Sequence, residues 1–142
     1  MLYHSGCFGD IVYSLPAIQG IGGAHLQLGP VSEIPPPFPP VLQPIDEARF
    51  EVIRPLLEAQ AYLATVRWVP NRSPFAFNLN AFRRFIGGHT NLSDAQCALL
   101  NVNWPVEKTW LTAPPAKWDG EPPKVIFARS SHYQDSRFPR QA

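Results

Sequence analysis

The chain of 142 residues is long enough to form one domain with a buried core. Hydrophobic residues make up 45% and charged residues 16%, a balance typical of a folded globule rather than a disordered chain. Twelve Lys and Arg against 11 Asp and Glu leave a net charge of +1, without the basic excess typical of proteins that bind nucleic acid or membranes. The apolar runs are shorter than a membrane span, and Asp10 interrupts any signal-peptide core. We therefore expect a cytoplasmic protein.

Cysteine and histidine usage favours neither a disulfide framework nor a metal site. Cys7 and Cys97 are far apart and lack the spacing of metal ligands, and the four histidines are scattered singly. Two cysteines of this kind are typical of a reducing compartment. A thiol near a helix N-terminus can become a nucleophile, but no suitably spaced arginine or partner histidine follows Cys7. We interpret Cys7 as a small buried residue.

The first predicted unit is a strand, a tight turn and a helix. A short apolar opening runs into Gly6 and Gly9, and Asp10 then precedes an apolar helical run over 10–19. The glycines permit backbone angles that a Cβ forbids, and they let a ligand approach the main chain. Asp10 can accept hydrogen bonds from the first free N–H groups of the helix. Because this turn lies at the carboxyl end of a parallel strand, where such folds bind ligands, we predict that Asp10 faces the mouth of a cleft.

A second strand is predicted over 24–28, followed by a proline-rich segment. Seven of the chain's 17 prolines fall within 30–44. The run over 35–40 cannot form a helix or a central strand, because proline lacks the N–H donor and fixes φ. We interpret this segment as a stiff surface loop. The alternative is a polyproline ligand for an SH3-like partner, but the flanking basic residues of such ligands are missing.

A helix is predicted over 46–60. The spacing of Phe50, Ile53 and Leu57 places these three apolar side chains on one side of that helix. Pro55 is predicted to begin a fresh helical segment, because proline is favoured at the first position of a helix.

The second half of the chain continues the alternation of elements. The predictions are a strand over 62–69, a loop over 70–80, a short segment of undecided type over 81–86, a helix capped at Ser93 and running to Leu100, a short strand over 109–112 and a buried strand over 124–128. Strands that alternate with helices predict a parallel sheet with right-handed crossovers. The predicted fold class is α/β: a Rossmann-like three-layer domain with a mostly parallel sheet.

The opening helix carries a family resemblance. The run GDIVYSLPAI over 9–18 resembles the opening of the lipopolysaccharide heptosyltransferases and their relatives in glycosyltransferase family nine. Residues 55–63 and 110–111 are similar to segments of bacterial and phage members. These enzymes have the GT-B architecture, in which two Rossmann-like domains face each other across a cleft. The resemblance implies that 1–123 form the acceptor-side domain and that 124–142 begin a donor-binding domain that is otherwise missing.

The resemblance also implies roles for the residues of the first turn. Asp10 matches the proposed catalytic base, which takes the proton of the acceptor hydroxyl as that oxygen attacks the anomeric carbon with inversion. The substrate is expected to contact Gly6, Cys7, Phe8 and Gly9. A helix N-terminus stabilises a carboxylate, so a lowered pKa is expected, and Asp10 would be a base by position more than by basicity. The alternative is that Asp10 only caps the helix.

The C-terminal residues resemble the start of the donor domain. Ser130 and Ser131 match the positions of hydroxyls that hold the donor's phosphates, and Arg137 opens a basic-aromatic-proline element over 137–139. Hydroxyls and N–H groups at a turn before a helix suit phosphate. Ser136 stands where many relatives have lysine, which is a departure from the family pattern.

Two further groups of residues have alternative interpretations. Arg83 and Arg84 are interpreted as a solvated helix face, the alternative being contact with an anionic acceptor. The four tryptophans are interpreted as packing residues, the alternative being platforms on which sugars stack. They are Trp68, Trp104, Trp110 and Trp118.

The predicted function is inverting transfer of a hexosyl or heptosyl group from a nucleotide-sugar donor to a glycan or lipid-linked sugar acceptor, this chain being an incomplete or inactive part of the enzyme. No cofactor and no nucleic-acid partner are expected, and membrane association is expected only through the acceptor. The pair Gly6 and Gly9 is too short for a dinucleotide-binding fingerprint, and no acidic residue ends the second strand. Two alternatives stay open: a stand-alone Rossmann-like non-catalytic binding module, and a small nucleotide-dependent enzyme that uses the same glycine turn.

Overall fold

The computed structural model describes residues 1–31, 44–88, 91–103 and 109–114. In chain order they form β1 (Leu2–His4), α1 (Phe8–Gly20), β2 (Ala24–Leu28), α2 (Glu47–Glu58), β3 (Leu63–Trp68), β4 (Phe77–Asn78), a 3-10 helix (Leu79–Gly88) and α3 (Leu92–Leu99). Several predictions lie outside these residues. They concern most of the proline-rich segment, Trp104, Trp118, the strand over 124–128, the domain boundary near 123, and the phosphate-binding candidates Ser130, Ser131 and Arg137.

The four strands form one parallel sheet in the order β3-β2-β1-β4. β1 lies inside the sheet, with Leu2 opposite Leu26 of β2 on one side and Tyr3 opposite Asn78 of β4 on the other. The chain therefore runs outward from β1 to β3 and returns to β4 across β1. The predicted class is confirmed: the protein is α/β, a Rossmann-like three-layer fold with a parallel sheet flanked by helices.

The core lies between the sheet and the helices α1 and α2. The two helices contribute Ile11, Leu15, Ile18, Phe50, Ile53 and Leu57, which pack against Leu2, Leu26 and Leu28 of the strands. The predicted apolar side of the second helix is thus confirmed. The break predicted at Pro55 is wrong, because α2 continues through it. Proline removes the hydrogen bond to the carbonyl of Glu51, and Glu51 lies on the exposed side of the helix, where water can replace that bond.

Helix α1 ends at Gly20, as the glycine cluster predicts. Gly22 and Gly23 have φ of +86° and +101°, which lies in the left-handed region that favours glycine. A Cβ on Gly23 would also overlap the carbonyl oxygen of Tyr62. This turn therefore needs glycine both for its backbone angle and for its close approach to the segment before β3.

The second half of the domain departs from several predictions and gives the undecided segment a structure. The loop predicted over 70–80 contains β4, a two-residue strand that exists by pairing with β1. The undecided segment over 81–86 lies within the 3-10 helix. The cap of α3 is Asn91 and not Ser93, since the Asn91 Oδ1 accepts the Asp94 N–H at 2.9 Å, whereas the Ser93 hydroxyl donates to the Tyr13 carbonyl at 3.2 Å.

The strand predicted over 109–112 is also wrong, because these residues pair with no strand of the sheet. Two side chains near the start of β3 bind this segment instead. Gln60 bonds both the N–H and the carbonyl of Thr112, and the Tyr62 hydroxyl donates to the Trp110 carbonyl at 2.6 Å. Among the described helices, none is long and apolar enough to cross a membrane.

Candidate functional site

A partly buried ion pair lies at the carboxyl ends of β1 and β4. Asp10 is on the first turn of α1, which follows β1, and Arg83 is on the 3-10 helix, which follows β4. The Arg83 Nη2 lies 2.7 Å from the Asp10 Oδ2. The strand order reverses between β1 and β4, and the crevice at such a point is where open parallel sheets bind ligands.

Asp10 caps the helix, but from inside its first turn. The N-cap residue is Cys7, whose own side chain makes no cap bond, and Asp10 is the third residue of α1. The Asp10 carboxylate accepts hydrogen bonds from the backbone N–H and the thiol of Cys7. An acidic side chain that reaches back from this position to the N-cap N–H is half of a capping box.

Asp10 is 6% exposed, so the prediction that its carboxylate faces the mouth of a cleft is wrong. The side chain turns inward because the Cys7 N–H and the Arg83 guanidinium draw it there. The expected lowering of its pKa is wrong as well. Burial raises the pKa of Asp10, and this effect exceeds the opposing effects of Arg83 and of the two Cys7 hydrogen bonds.

The predicted substrate-contacting turn is partly exposed beside Asp10. Cys7, Phe8 and Gly9 are exposed, whereas Gly6 is buried. The interpretation of Cys7 as a buried residue is therefore wrong, because its position before the first turn of α1 leaves the thiol at the surface. Exposure next to the buried carboxylate makes these three residues the rim of the candidate site.

Gly6 is required for space and not for its backbone angle. Neither Gly6 nor Gly9 has positive φ, which corrects the predicted reason for these glycines. A Cβ on Gly6 would lie 2.6 Å from the His4 Cε1 and 2.6 Å from the Asp10 Cβ. A Cβ on Gly9 would meet nothing nearer than the Cys7 Sγ at 4.0 Å. Gly6 thus lets the end of β1 and the start of α1 pack directly against each other.

His4, the last residue of β1, was not predicted to belong to the site. Its Nδ1 accepts the Gly6 N–H at 2.9 Å, so the neutral ring carries its proton on Nε2. That Nε2 lies 3.3 Å from one end of the Gln96 carboxamide. Because the protonated Nε2 is a donor and needs an acceptor, we assign the carboxamide oxygen, rather than its nitrogen, to this end. Complete burial, and secondarily the charge of Arg83, lowers the pKa of His4 to about 3. A lone histidine at the end of a predicted strand, directly before the glycine turn, was the available signal.

Asparagines connect the ends of β1 and β4. The Asn80 Oδ1 accepts the Ser5 N–H at 3.2 Å, and the Asn80 side chain donates to the Asn78 Oδ1 at 2.8 Å. These bonds fix the start of the 3-10 helix and therefore the position of Arg83. The interpretation of Arg83 as part of a solvated face is wrong, since its side chain is 21% exposed and ion-paired, whereas Arg84 is exposed. In the described part of the chain, no cluster of three His, Cys, Asp or Glu side chains could hold a metal ion.

A scan against protein-family models and searches of curated proteins and of solved structures found no match to the chain. The resemblance to glycosyltransferase family nine therefore depends on the residues quoted for it above, chiefly the run over 9–18.

Proposed function

We propose that the described domain is the acceptor-side domain of an inverting glycosyltransferase of the GT-B type, with Asp10 as the general base. The observation that carries this proposal is the location of the pair of Asp10 and Arg83. The pair lies where the strand order reverses, at the carboxyl ends of β1 and β4. Parallel sheets bind their ligands at this place, and the exposed rim of Cys7, Phe8 and Gly9 lies beside the buried acid.

The direction of the pKa shift of Asp10 suits a general base. A carboxylate with an ordinary pKa is a poor proton acceptor, and a raised pKa improves proton transfer in the transition state. Burial raises the pKa of Asp10, while the charge of Arg83 favours the ionised form that a base needs. Burial therefore makes Asp10 more basic, and Arg83 opposes the protonation that burial favours.

In the proposed reaction, the acceptor hydroxyl approaches Asp10 past the rim formed by Cys7, Phe8 and Gly9. The hydroxyl oxygen forms a bond to the anomeric carbon of the donor, the bond to the nucleotide's phosphate oxygen breaks, and Asp10 takes the hydroxyl proton. The configuration at the anomeric carbon is inverted. The donor's phosphates are proposed to bind a C-terminal domain that begins with residues such as Ser130, Ser131 and Arg137.

A non-catalytic Rossmann-like binding module is the second candidate. The observation that favours it is that Asp10 is buried and hydrogen-bonded to Cys7 and Arg83, which gives this aspartate a complete structural role. On this hypothesis, substitution of Asp10 changes the stability of the domain, and the domain has no turnover that the substitution could affect.

Turnover of nucleotide sugars separates the two candidates. The chain is expressed with whatever coding sequence continues in frame after Ala142, and nucleotide release is measured with a panel of nucleotide sugars and hydroxyl acceptors. We expect Asp10→Asn to lower turnover by about 100-fold or more. The matched control is Asp46→Asn, which also removes the charge of a capping aspartate, but at the N-terminus of α2, on the exposed surface.

Asp46→Asn is expected to change turnover by less than about twofold, since removing a cap alters stability and not chemistry. Circular dichroism and the melting temperature establish that both variants are folded. A folded Asp10→Asn protein with unchanged turnover removes Asp10 from catalysis. A folded wild-type protein that turns over no donor favours the binding module.

A further inference from the structure

A groove lies between α1 and α3, on the flank of the domain. We call it the α1–α3 groove; it has a volume of about 480 Å³, within the range of small-molecule sites. The residues used below are Tyr13, Pro16, Asp94, Val102, Asn103 and Trp110. Asp10 does not line the groove, which runs along α1 from Tyr13 toward Val102, the residue packed against Gly20 at the end of that helix.

Three of the lining side chains have unused hydrogen-bonding capacity. Within the described ranges, the Tyr13 hydroxyl, the Asn103 carboxamide and the Trp110 indole N–H bond no other residue. Tyr13 is 44% exposed, although it lies on a helix whose other face is core. The groove therefore offers to a ligand the exposed ring of Tyr13, part of the Trp110 ring, which also packs against the core, and three polar groups.

The described lining of the groove gives an anionic ligand no positive side chain to bind. Among the described residues that line it, none is Lys, Arg or His, and Asp94 contributes a carboxylate. Cys97 also lines the groove, and burial, with the Asp94 charge as a smaller cause, raises the pKa of its thiol. The remaining surface includes Pro16 and Val102, which are apolar. These described residues suit an uncharged ligand with apolar faces and polar edges.

We propose that the α1–α3 groove binds a neutral sugar ring. A pyranose has C–H faces that stack on an exposed aromatic side chain such as Tyr13. Its hydroxyl groups donate and accept hydrogen bonds, which an amide can match in both directions, as at Asn103. The indole N–H of Trp110 adds a donor. The proposal does not depend on Asp10, so it applies to a transferase domain and to a binding module alike.

The position of Trp110 in the groove is determined by two side chains outside it. The Tyr62 hydroxyl donates to the Trp110 carbonyl at 2.6 Å, and Gln60 bonds the backbone of Thr112 two residues later. These bonds attach the segment 109–114 to the main body of the domain. Trp110 thus lies on a braced segment with its ring packed against the core, which lowers the entropy lost when a ligand binds at its exposed part.

The test is an NMR titration of the full 142-residue chain, labelled with ¹⁵N, with methyl α-D-glucopyranoside, methyl α-D-mannopyranoside and maltose. We expect at least one saccharide to shift the Trp110 indole N–H and the backbone signals of Tyr13 and Asn103, with a Kd of about 1–10 mM. Adenosine and inorganic phosphate are the competing probes. Adenosine carries a flat base that could stack on the same aromatic rings. Phosphate tests whether the groove binds an anion.

Tyr13→Ala is expected to weaken saccharide binding about tenfold, and Asn103→Ala about fivefold. Both positions are exposed, so both variants should fold, as their spectra will show. The matched control is Phe75→Ala, which removes an aromatic ring that is 89% exposed and lies outside the groove. Its affinity should stay within about twofold of the wild type.

The proposal is overturned if none of the saccharides shifts the Trp110 signal at about 100 mM, well above the expected Kd. It is also overturned if adenosine or phosphate binds while the sugars do not, or if folded Tyr13→Ala and Asn103→Ala proteins bind sugar as the wild type does. None of these results bears on Asp10, which the turnover experiment tests separately.

Discussion

Arg83 and Asp10, which lie 73 positions apart in the chain, form an ion pair of 2.7 Å in the folded domain. Their side chains are 21% and 9% exposed, so water screens the two charges only in part. The pair joins the 3-10 helix after β4 to the first turn of α1. It therefore couples the stability of this edge of the sheet to the protonation of the proposed base.

Removing the cation of this pair should destabilise the domain strongly. Arg83→Met leaves the carboxylate of Asp10 buried without a counter-charge, and we expect the free energy of unfolding at pH 7 to fall by about 2–4 kcal/mol. Urea denaturation measures this change. The control is Arg54→Met on α2, where the exposed pairs with Glu51 and Glu58 should contribute less than about 1 kcal/mol.

The stability difference between the wild type and Arg83→Met should depend on pH. The pKa of Asp10 in the folded protein is raised above its unfolded value of 3.8. Asp10 therefore contributes to stability at pH values below 3.8, and this contribution is lost as the pH rises through the raised pKa. Loss of Arg83 raises this pKa further, so the difference in stability between wild type and Arg83→Met should shrink on acidification. A difference that is equal at pH 7 and pH 4 would contradict the electrostatic account.

Acid should destabilise the domain through His4. The pKa of this buried imidazole is about 3, below its ordinary value of 6.5, so its contribution to stability is present above 6.5 and is lost as the pH falls toward 3. The expected slope from this residue is about 1.4 kcal/mol per pH unit between pH 6 and pH 4. Unfolding curves at several pH values measure it.

His4→Asn removes the titration but retains an acceptor for the Gly6 N–H, and it should flatten that slope. His25→Asn is the matched control, since His25 is exposed on β2 and its Nδ1 bonds the Thr65 hydroxyl. If both variants keep the wild-type pH dependence, His4 is not the acid-sensitive group.

The two glycines of the first turn should respond oppositely to alanine. Gly6→Ala places a Cβ 2.6 Å from atoms of His4 and Asp10, and the required shift should lower stability by about 2–3 kcal/mol. Gly9→Ala enters open space in the first turn of α1, where alanine should be neutral or stabilising by up to about 1 kcal/mol. The urea midpoints of the two variants measure these changes. Equal changes would show that the close contacts around Gly6 do not require a residue without a Cβ.

Gln60 should matter for both stability and the α1–α3 groove. Gln60→Leu removes the partners of the Thr112 N–H and carbonyl, and we expect a loss of about 1–3 kcal/mol in unfolding free energy. Tyr62→Phe removes one bond to the Trp110 carbonyl and should lower stability by only about 1 kcal/mol.

Because Gln60 attaches the segment that carries Trp110, Gln60→Leu should also weaken saccharide binding in the titration described above. A folded Gln60→Leu protein with wild-type stability would show that the hydrogen bonds to Thr112 contribute nothing to the attachment of that segment.

Side-chain periodicity in the sequence predicted the longer helices and strands. The spacing of Phe50, Ile53 and Leu57 identified the buried side of α2, and alternation identified β2, because side-chain periodicity follows directly from helix and strand geometry. The strand β4 gave no such signal. Two residues carry no periodicity, and Phe77 and Asn78 form a strand only because Leu2 and Tyr3 lie beside them.

The start of α3 shows how local chemistry can leave a choice open. Asn91 and Ser93 are both good helix caps, and sequence reasoning chose Ser93. In the fold, the Ser93 hydroxyl bonds the Tyr13 carbonyl of α1, and Asn91 caps α3. The packing of two helices thus decided which polar side chain was free to cap.

By itself, the sequence determined the alternation of strands and helices and the placement of Asp10 at the first turn after β1, because hydrophobic periodicity and capping depend on neighbours within a few positions. Only the tertiary structure decided that this carboxylate is buried against Arg83 and that His4 is held neutral. The depth of a charge and the partner that compensates it depend on groups brought together from distant parts of the chain, and no local pattern encodes their separation.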